Sequence, residues 1–286
     1  RAPVLLAPSM NDLMWEHPPV RANLARLVDL GVHLVSPSAG FLACGREGMG
    51  RMAEPQAIAE EAARLLGPKD LAGLRVLVTA GPTREHLDPV RFLSNPSTGK
   101  MGYALARAAA RRGAEVVLVH GPTSLAAPAG IEAVGVVSAE EMAEAVTKRF
   151  AGCDLLVMTA AVADWRPKEA APEKVKKTEG PRTVEFVRTP DVLGLVVPRK
   201  RPDQVVVGFA AETGDIERKA AEKRARKGMD LIVGNDVTQA GAGFGADTNA
   251  AVLIDRAERV ERVELTSKDR LAEAILDAAL KLRTSS

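Results

Sequence analysis

The chain has 286 residues, 46% of them hydrophobic and 27% charged, which is too apolar and too evenly charged for a disordered segment. At roughly 100–200 residues per domain it can form one large domain or two smaller ones. Aromatic residues make up only 3%, and 39 basic residues against 37 acidic ones leave a net charge of +2, so base-stacking modules, sugar-binding sandwiches and a basic nucleic-acid surface are all disfavoured. Arg1 leads within two residues into Pro3–Val4–Leu5–Leu6–Ala7, which reads as a buried strand. Native termini usually carry loose residues first, so an upstream portion is expected. Leu24, Leu27, Val28 and Leu30 give a buried helical face over Val20–Leu30. Val32–Val35 reads as a strand, Gly40 to Gly50 as a mobile glycine-rich loop, and Glu54 to Leu66 as a helix stopped by Gly67 and Pro68.

The alternation then restarts. Strands are expected at Val76–Val78, Val116–Val119, Leu155–Met158, Val205–Val207 and Leu231–Val233, and helices at Gly99–Arg112, Glu140–Phe150 and Ile216–Lys227. Ala251–Ile254 and Val260–Leu265 read as a hairpin, and Leu271–Leu282 as a closing helix. Between Pro167 and Pro190 the pattern breaks, which marks a functional or mobile stretch. Short apolar strands alternating with amphipathic helices predict an α/β fold: a doubly wound, Rossmann-like parallel sheet covered on both faces. The boundary falls near Gly67–Asp70. Residues 1–69 carry too few strands to cover themselves and read as the tail of a larger α/β domain; residues 70–286 are a complete domain by size. Two cysteines, Cys44 and Cys153, build no disulfide framework, and no apolar run approaches the ~20 residues of a membrane span. A cytoplasmic location without membrane or nucleic-acid partners follows as the expectation.

Three segments carry chemistry. Asn11 follows the first strand, where open α/β sheets bind ligands, and suits a carboxylate or a flavin edge; equally, Asn11 or Asp12 caps a short helix with Met14–Trp15 in the core. Cys44 lies among glycines beside Arg46, a setting for an acidic, proton-donating thiol. After Val76–Val78 no Gly-x-Gly-x-x-Gly and no Walker pattern appears; Ser97–Thr98–Gly99 instead enters a helix whose amino end favours an anion or is simply capped. Thr159–Ala160–Ala161–Val162–Ala163–Asp164 ends a strand with residues small enough for a nucleoside. Lys174, Lys176 and Lys177 cluster in the prolyl stretch, either as phosphate ligands or as an ordinary solvated surface. Phe209 can stack on a base, and Lys223 and Lys227 share a helix face.

Pro-x-Met-Asn-x-x-Met-Trp at Pro8–Trp15, with Ala43–Cys44–Gly45 and Gly50–Arg51–Met52, resembles the second half of the flavoprotein phosphopantothenoylcysteine decarboxylases. That resemblance implies that residues 1–69 are the carboxy-terminal remnant of a flavodoxin-like decarboxylase domain, that Asn11 grips the substrate carboxylate and that Cys44 protonates the enethiol intermediate. The family's flavin-phosphate loop and catalytic histidine have no counterpart here, so FMN is expected in a full-length parent and not in this chain. Ala80–Glu85, Asp88–Arg91, Asn95–Gly102, Ala160–Pro167, Glu173–Lys177 and Gly208–Thr213 resemble the phosphopantothenate–cysteine ligase domain, in family order. The two together match the fused bacterial coenzyme A biosynthesis family, in which decarboxylase precedes ligase. The resemblance implies CTP-dependent activation of 4′-phosphopantothenate as an acyl-cytidylate, with Mg²⁺ at ligands the sequence does not identify, and amide formation with cysteine. It places Asn95 on the acyl-cytidylate and Lys174 on the developing charge. Met158, Thr159, Ala160, Asp164, Lys174, Pro190, Asp191, Val192, Leu193, Phe209, Lys223 and Lys227 would hold the nucleotide. It also implies a homodimer through the ligase domain and a larger assembly for the full-length parent. The rival from another class is a non-catalytic Rossmann-type dinucleotide-binding module, which the missing glycine fingerprint disfavours.

Overall fold

The structure, a computed structural model, describes residues 2–176, 183–236, 241–243 and 245–284. Lys177 and Val237 lie outside these. Two compact units divide the chain: residues 1–70 with 111–113, and residues 71–110 with 114–286.

The first unit contains β1 (Leu5–Leu6), α1 (Asp12–Glu16), α2 (Pro18–Asp29), β2 (His33–Leu34), β3 (Ser38–Phe41), β4 (Glu47–Arg51) and α3 (Pro55–Leu66). β1 and β2 pair in parallel but are only half-buried, not the buried strand expected. α2 buries no residue, and its Leu27 and Val28 are exposed, because a two-stranded sheet is too narrow a platform to cover it. The expected glycine loop is instead an antiparallel hairpin, β3–β4, with Cys44 at its exposed tip. Glycine is required where this hairpin crosses the chain: a Cβ on Gly50 (φ +143°) would lie 2.1 Å from the Met10 carbonyl oxygen.

The second unit runs β5 (Arg75–Ala80), β6 (Arg84–His86), β7 (Phe92–Ser94), α4 (Lys100–Arg111), β8 (Glu115–His120), β9 (Glu132–Gly135), α5 (Ala139–Phe150), β10 (Leu155–Met158) and β11 (Trp165–Pro167). It continues with β12 (Phe186–Arg188), α6 (Val192–Val196), β13 (Val205–Glu212), α7 (Ile216–Lys227), β14 (Leu231–Asp236), β15 (Thr248–Asp255), β16 (Val260–Ser267) and α8 (Lys268–Thr284). The main sheet has the order β16-β15-β14-β13-β10-β5-β8-β9. All pairings from β14 to β9 are parallel, while β14–β15 and β15–β16 are antiparallel. Numbered along the chain, the six parallel strands give the doubly wound order 3-2-1-4-5-6, with its reversal between β5 and β10.

Two-residue periodicity sorts the strand side chains between two cores. Val76, Val78, Val157 and Val207 face α4 and α8; Leu77, Leu156, Val206 and Ile232 face α5, α6 and α7. At the reversal α4 lies so close to the sheet that a Cβ on Gly102 would come within 2.5 Å of Ala80 Cβ and 2.6 Å of Thr159 Oγ1. Two small antiparallel ribbons, β6–β7 and β11–β12, stand outside the sheet. The second of them brackets the stretch from Pro167 to Pro190 in which the sequence pattern breaks. The ribbons, β9 and α6 were not anticipated. Their segments are three to five residues long and partly exposed, so they carry almost no hydrophobic period. No helix among the described residues is long and apolar enough to cross a membrane.

Candidate functional site

In the second unit a cleft of about 820 Å³ opens at the carboxyl ends of β10, β13 and β14, beside the amino end of α4. This is the switch-point crevice, where divergent helices leave room above the strands. Its floor is the segment after β10, and threonines wire that segment in place. Thr79 Oγ1 accepts from Ala160 N–H at 3.1 Å, Thr83 Oγ1 accepts from Ala163 N–H at 2.9 Å, and Thr189 Oγ1 donates to the Ala163 carbonyl at 2.6 Å. Asn95 Nδ2 donates to the Ala161 and Val162 carbonyls at 3.2 and 3.4 Å. Alanines therefore leave the cleft wide while side chains behind them fix the backbone.

Five cationic side chains line the cleft (Lys100, Arg188, Lys223, Lys227 and Lys268) against two carboxylates, Asp164 and Asp191. Lys223 Nζ donates to the Phe209 carbonyl at 2.9 Å. Burial pushes its pKa below the ordinary lysine value, Glu212 and Asp164 oppose that shift, and Lys227 and Arg226 add to it. Lys227 is ion-paired with Asp191. Burial raises the Asp191 carboxyl pKa, but the Lys227 hydrogen bond and the Gly194 N–H outweigh it and hold the group low. Lys268 is 8% exposed and donates to the carbonyls of Gly243, Ala246 and Thr248 at 3.5, 2.5 and 3.2 Å. Lys100 reaches the Gly245 carbonyl at 2.9 Å and Asp247 at 2.6 Å. A cleft with this charge, a helix amino end at Gly99–Gly102 and the Phe209 ring suits an anionic ligand that carries a flat base.

The cleft collects Asn95, Met158, Thr159, Ala160, Asp164, Pro190, Asp191, Val192, Leu193, Phe209, Lys223 and Lys227. Lys174 is not in its lining. It is exposed on the segment before β12, and among the described residues its ammonium makes no hydrogen bond or ion pair. Sequence reasoning missed Lys100, Arg188 and Lys268. Lys268 did leave a signal: a lysine opening a helix opposes the helix dipole and needs a compensating anion or carbonyl set.

In the first unit Asn11 caps α1, its Oδ1 accepting from Leu13 N–H at 2.9 Å and from Arg46 Nη2 at 3.3 Å. Arg46 also bridges Asp12 at 2.7 Å, and its neighbours Cys44 and Asp12 raise its pKa above the ordinary arginine value. Asn11 and Asp12 thus share one guanidinium. Trp15 is buried, whereas Met14 is 55% exposed and not part of a core.

Fold and cleft together define a Rossmann-like α/β protein with a cationic switch-point site. Residues 71–282 match the family model described as the DNA/pantothenate metabolism flavoprotein C-terminal domain, and residues 1–67 match the Flavoprotein model. The coenzyme A biosynthesis bifunctional protein CoaBC of Bacillus subtilis (strain 168) is 46% identical over 289 residues, covering 99% of this chain and 71% of that protein. Its Escherichia coli (strain K12) counterpart is 44% identical over 282 residues, covering 96% and 70%. The crystal structure of the C-terminal domain of a CoaBC protein superposes with a TM-score of 0.66 at 38% identity, covering 76% of this chain and all of that domain. The chain belongs to this family of coenzyme A biosynthesis bifunctional proteins.

The buried Lys223 ammonium gives a pH test. Its folded-state pKa lies below the unfolded one, so between the two the unfolded chain binds more protons and stability rises with pH. Wild type is therefore expected to gain stability relative to Lys223→Met between pH 7 and pH ~10, near the unfolded lysine value. Urea midpoints of both proteins at the two pH values check the sign.

Proposed function

We propose that the second unit is a phosphopantothenate–cysteine ligase of coenzyme A biosynthesis and that CTP activates its acid substrate. The observation that carries this reading is one cleft, at the strand-order reversal, that holds five cations, a helix amino end, Asn95 and the Phe209 ring. Family membership supports the substrate assignment.

A carboxylate is a poor acyl donor because oxide is a poor leaving group. In the proposed reaction a 4′-phosphopantothenate carboxylate oxygen attacks the α-phosphorus of CTP, the bond to the β-phosphate oxygen breaks, and pyrophosphate leaves. The cysteine amine then attacks the acyl carbon of the acyl-cytidylate, expelling CMP and losing a proton as the amide forms. Positioning and charge neutralisation dominate such transfers. Lys223 and Lys227 meet the triphosphate, the latter exchanging Asp191 for phosphate. Phe209 supports the base, and the threonine-wired backbone from Met158 to Asp164, with Pro190–Leu193, shapes the nucleoside pocket. Asn95, its amide nitrogen anchored on two carbonyls, keeps Oδ1 as an acceptor and holds the acyl-cytidylate for the second step. Lys174, outside the wall and without a partner among the described residues, neutralises the α-phosphate from the ligand side. Among the described residues no three His, Cys, Asp or Glu side chains cluster as a metal cage, so Mg²⁺ fits as an ion carried in by the triphosphate.

The first unit offers a flavin little. β1 and β2 are only half-buried, and Asn11 Oδ1 is occupied by its helix cap and Arg46. We infer that this unit by itself holds no FMN and carries out no decarboxylation. Purified chain is expected to show no visible flavin absorbance; a bound flavin spectrum overturns that assignment. The ribbons β6–β7 and β11–β12 expose Phe92, Leu93, Trp165 and Phe186, each at least 40% accessible. Such a patch supports a homodimer through this unit, expected as twice the monomer mass in sedimentation equilibrium.

The two half-reactions separate by mutation. Lys174→Gln is expected to slow CTP-dependent pyrophosphate release about 10²–10³-fold, the usual loss for one transition-state charge partner. Asn95→Asp is expected to keep that release and to block the cysteine step, so that acyl-cytidylate accumulates. Pyrophosphate and amide product, followed in parallel with CTP or ATP, decide both roles and the nucleotide.

A further inference from the structure

Asp88 has no place in the cleft, yet its carboxylate is only 1% exposed and fully engaged. It lies in the turn between β6 and β7. Oδ1 accepts from the Val90 and Arg91 N–H groups, both at 2.8 Å. Oδ2 accepts from Arg91 Nη1 and from the Val175 N–H, both at 3.3 Å. Arg91 Nη2 then donates to the Val175 carbonyl at 3.3 Å. Both backbone groups of Val175, the residue after Lys174, are therefore held by this one acid–guanidinium couple. A second rung, Ala171 N–H to the Leu87 carbonyl at 2.9 Å, fixes the same segment four residues earlier. Burial raises the Asp88 carboxyl pKa, but three backbone N–H groups and the Arg91 charge outweigh it and hold the acid ionised. A buried carboxylate that spends an oxygen on a segment 87 residues away in sequence constrains where that segment runs.

We propose that Asp88, through Arg91 and the Val175 backbone, is a positioning residue that fixes the place from which Lys174 meets the reacting phosphate. The inference rests on the ligase reading of Lys174. The hairpin β6–β7 then serves the reaction at both ends: its turn locates Lys174, and the strand leaving it delivers Asn95 to the cleft floor. Asp88 touches no substrate, so its loss should affect the rate of activation and not the binding of nucleotide.

The test uses the full chain. Asp88→Asn keeps the shape of the side chain but replaces one acceptor oxygen with a donor facing Val175 N–H and Arg91. Hydrogen exchange at the Val175 amide is expected to quicken at least tenfold, with pyrophosphate release reduced about 10–100-fold in kcat. KM and the calorimetric Kd for CTP should stay within about threefold of wild type. Added to Lys174→Gln, the substitution should cost less than about twofold more, because both act on one group. Arg91→Gln, which leaves the carboxylate with its backbone donors, should show the same kcat-only pattern at about 3–10-fold and carries the test if Asp88→Asn fails to fold. A raised Kd or KM with kcat unchanged, or losses that multiply in the double variant, overturns the proposal while leaving the ligase reading intact. A wild-type chain that releases no pyrophosphate overturns the ligase reading and this role with it.

Discussion

The parallel pairing of β5 with β10 governs the second unit. The strand order reverses there, so the chain after β5 leads to the α4 face and the chain after β10 to the opposite one, and neither covers the strand ends between them. A crevice at this place follows from connectivity, before any side chain is chosen. The residues then keep it open. Gly102 lets α4 press onto Ala80 and Thr159, and the isolated bridge between Pro82 and Ala161 carries the β5–β10 pairing past the sheet edge. A side chain at position 102 would force the helix away and remove its amino end from the wall.

Charge placement follows from the same geometry. An ammonium removed from water needs carbonyls or carboxylates in its place. Lys223 takes the Phe209 carbonyl, Lys268 takes three carbonyls, Lys100 takes a carbonyl and Asp247, and Lys227 takes Asp191. These partners differ in what an incoming anion can displace. Carbonyl-held lysines stay where they are and add a standing field. In the Asp191–Lys227 and Asp247–Lys100 pairs the lysine is held by a side-chain anion that a ligand anion can replace, and Gly194 leaves room for the Asp191 carboxylate against α6.

How far the sequence disclosed this molecule depended on the scale of each feature. Buried parallel strands such as Leu155–Met158 are unbroken apolar runs, and α7 spans Ile216–Lys227 as expected, since its Gly228 stop is local chemistry. The cleft residues after β10 and β13 were legible because strand ends in an alternating α/β pattern mark the ligand edge. The first unit misled for a different reason: apolar spacing in Val20–Leu30 is real, yet burial depends on a partner surface that two short strands do not provide. The ribbons were hidden because three-residue strands take their stability from tertiary contacts and not from a periodic pattern. Lys174 was legible as part of a lysine cluster, but no spacing rule says whether a loop lysine lies in a wall or beside it.

The unexpected ribbon also explains why the stretch from Asp88 to Asn95 is contiguous. Read as sequence, Asp88, Arg91, Ser94 and Asn95 look like scattered polar positions around Phe92 and Leu93. In the fold they occupy a single hairpin arm. Ser94 Oγ donates to the Thr83 carbonyl at 2.7 Å and ties the base of the arm to the segment after β5, while Glu85, 3% exposed, accepts from Ala139 N–H at 2.9 Å and anchors the opposite strand on α5. An arm pinned at its base by the segment after β5 and by α5, and holding Val175 at its turn, transmits the position of those elements to a distant loop with few soft torsions between. The exposed Phe92 and Leu93 then need no place in the core: their backbone serves the site, and the Phe92 ring lies under the Arg84 guanidinium at 4.6 Å and edge-on to His86 at 5.6 Å.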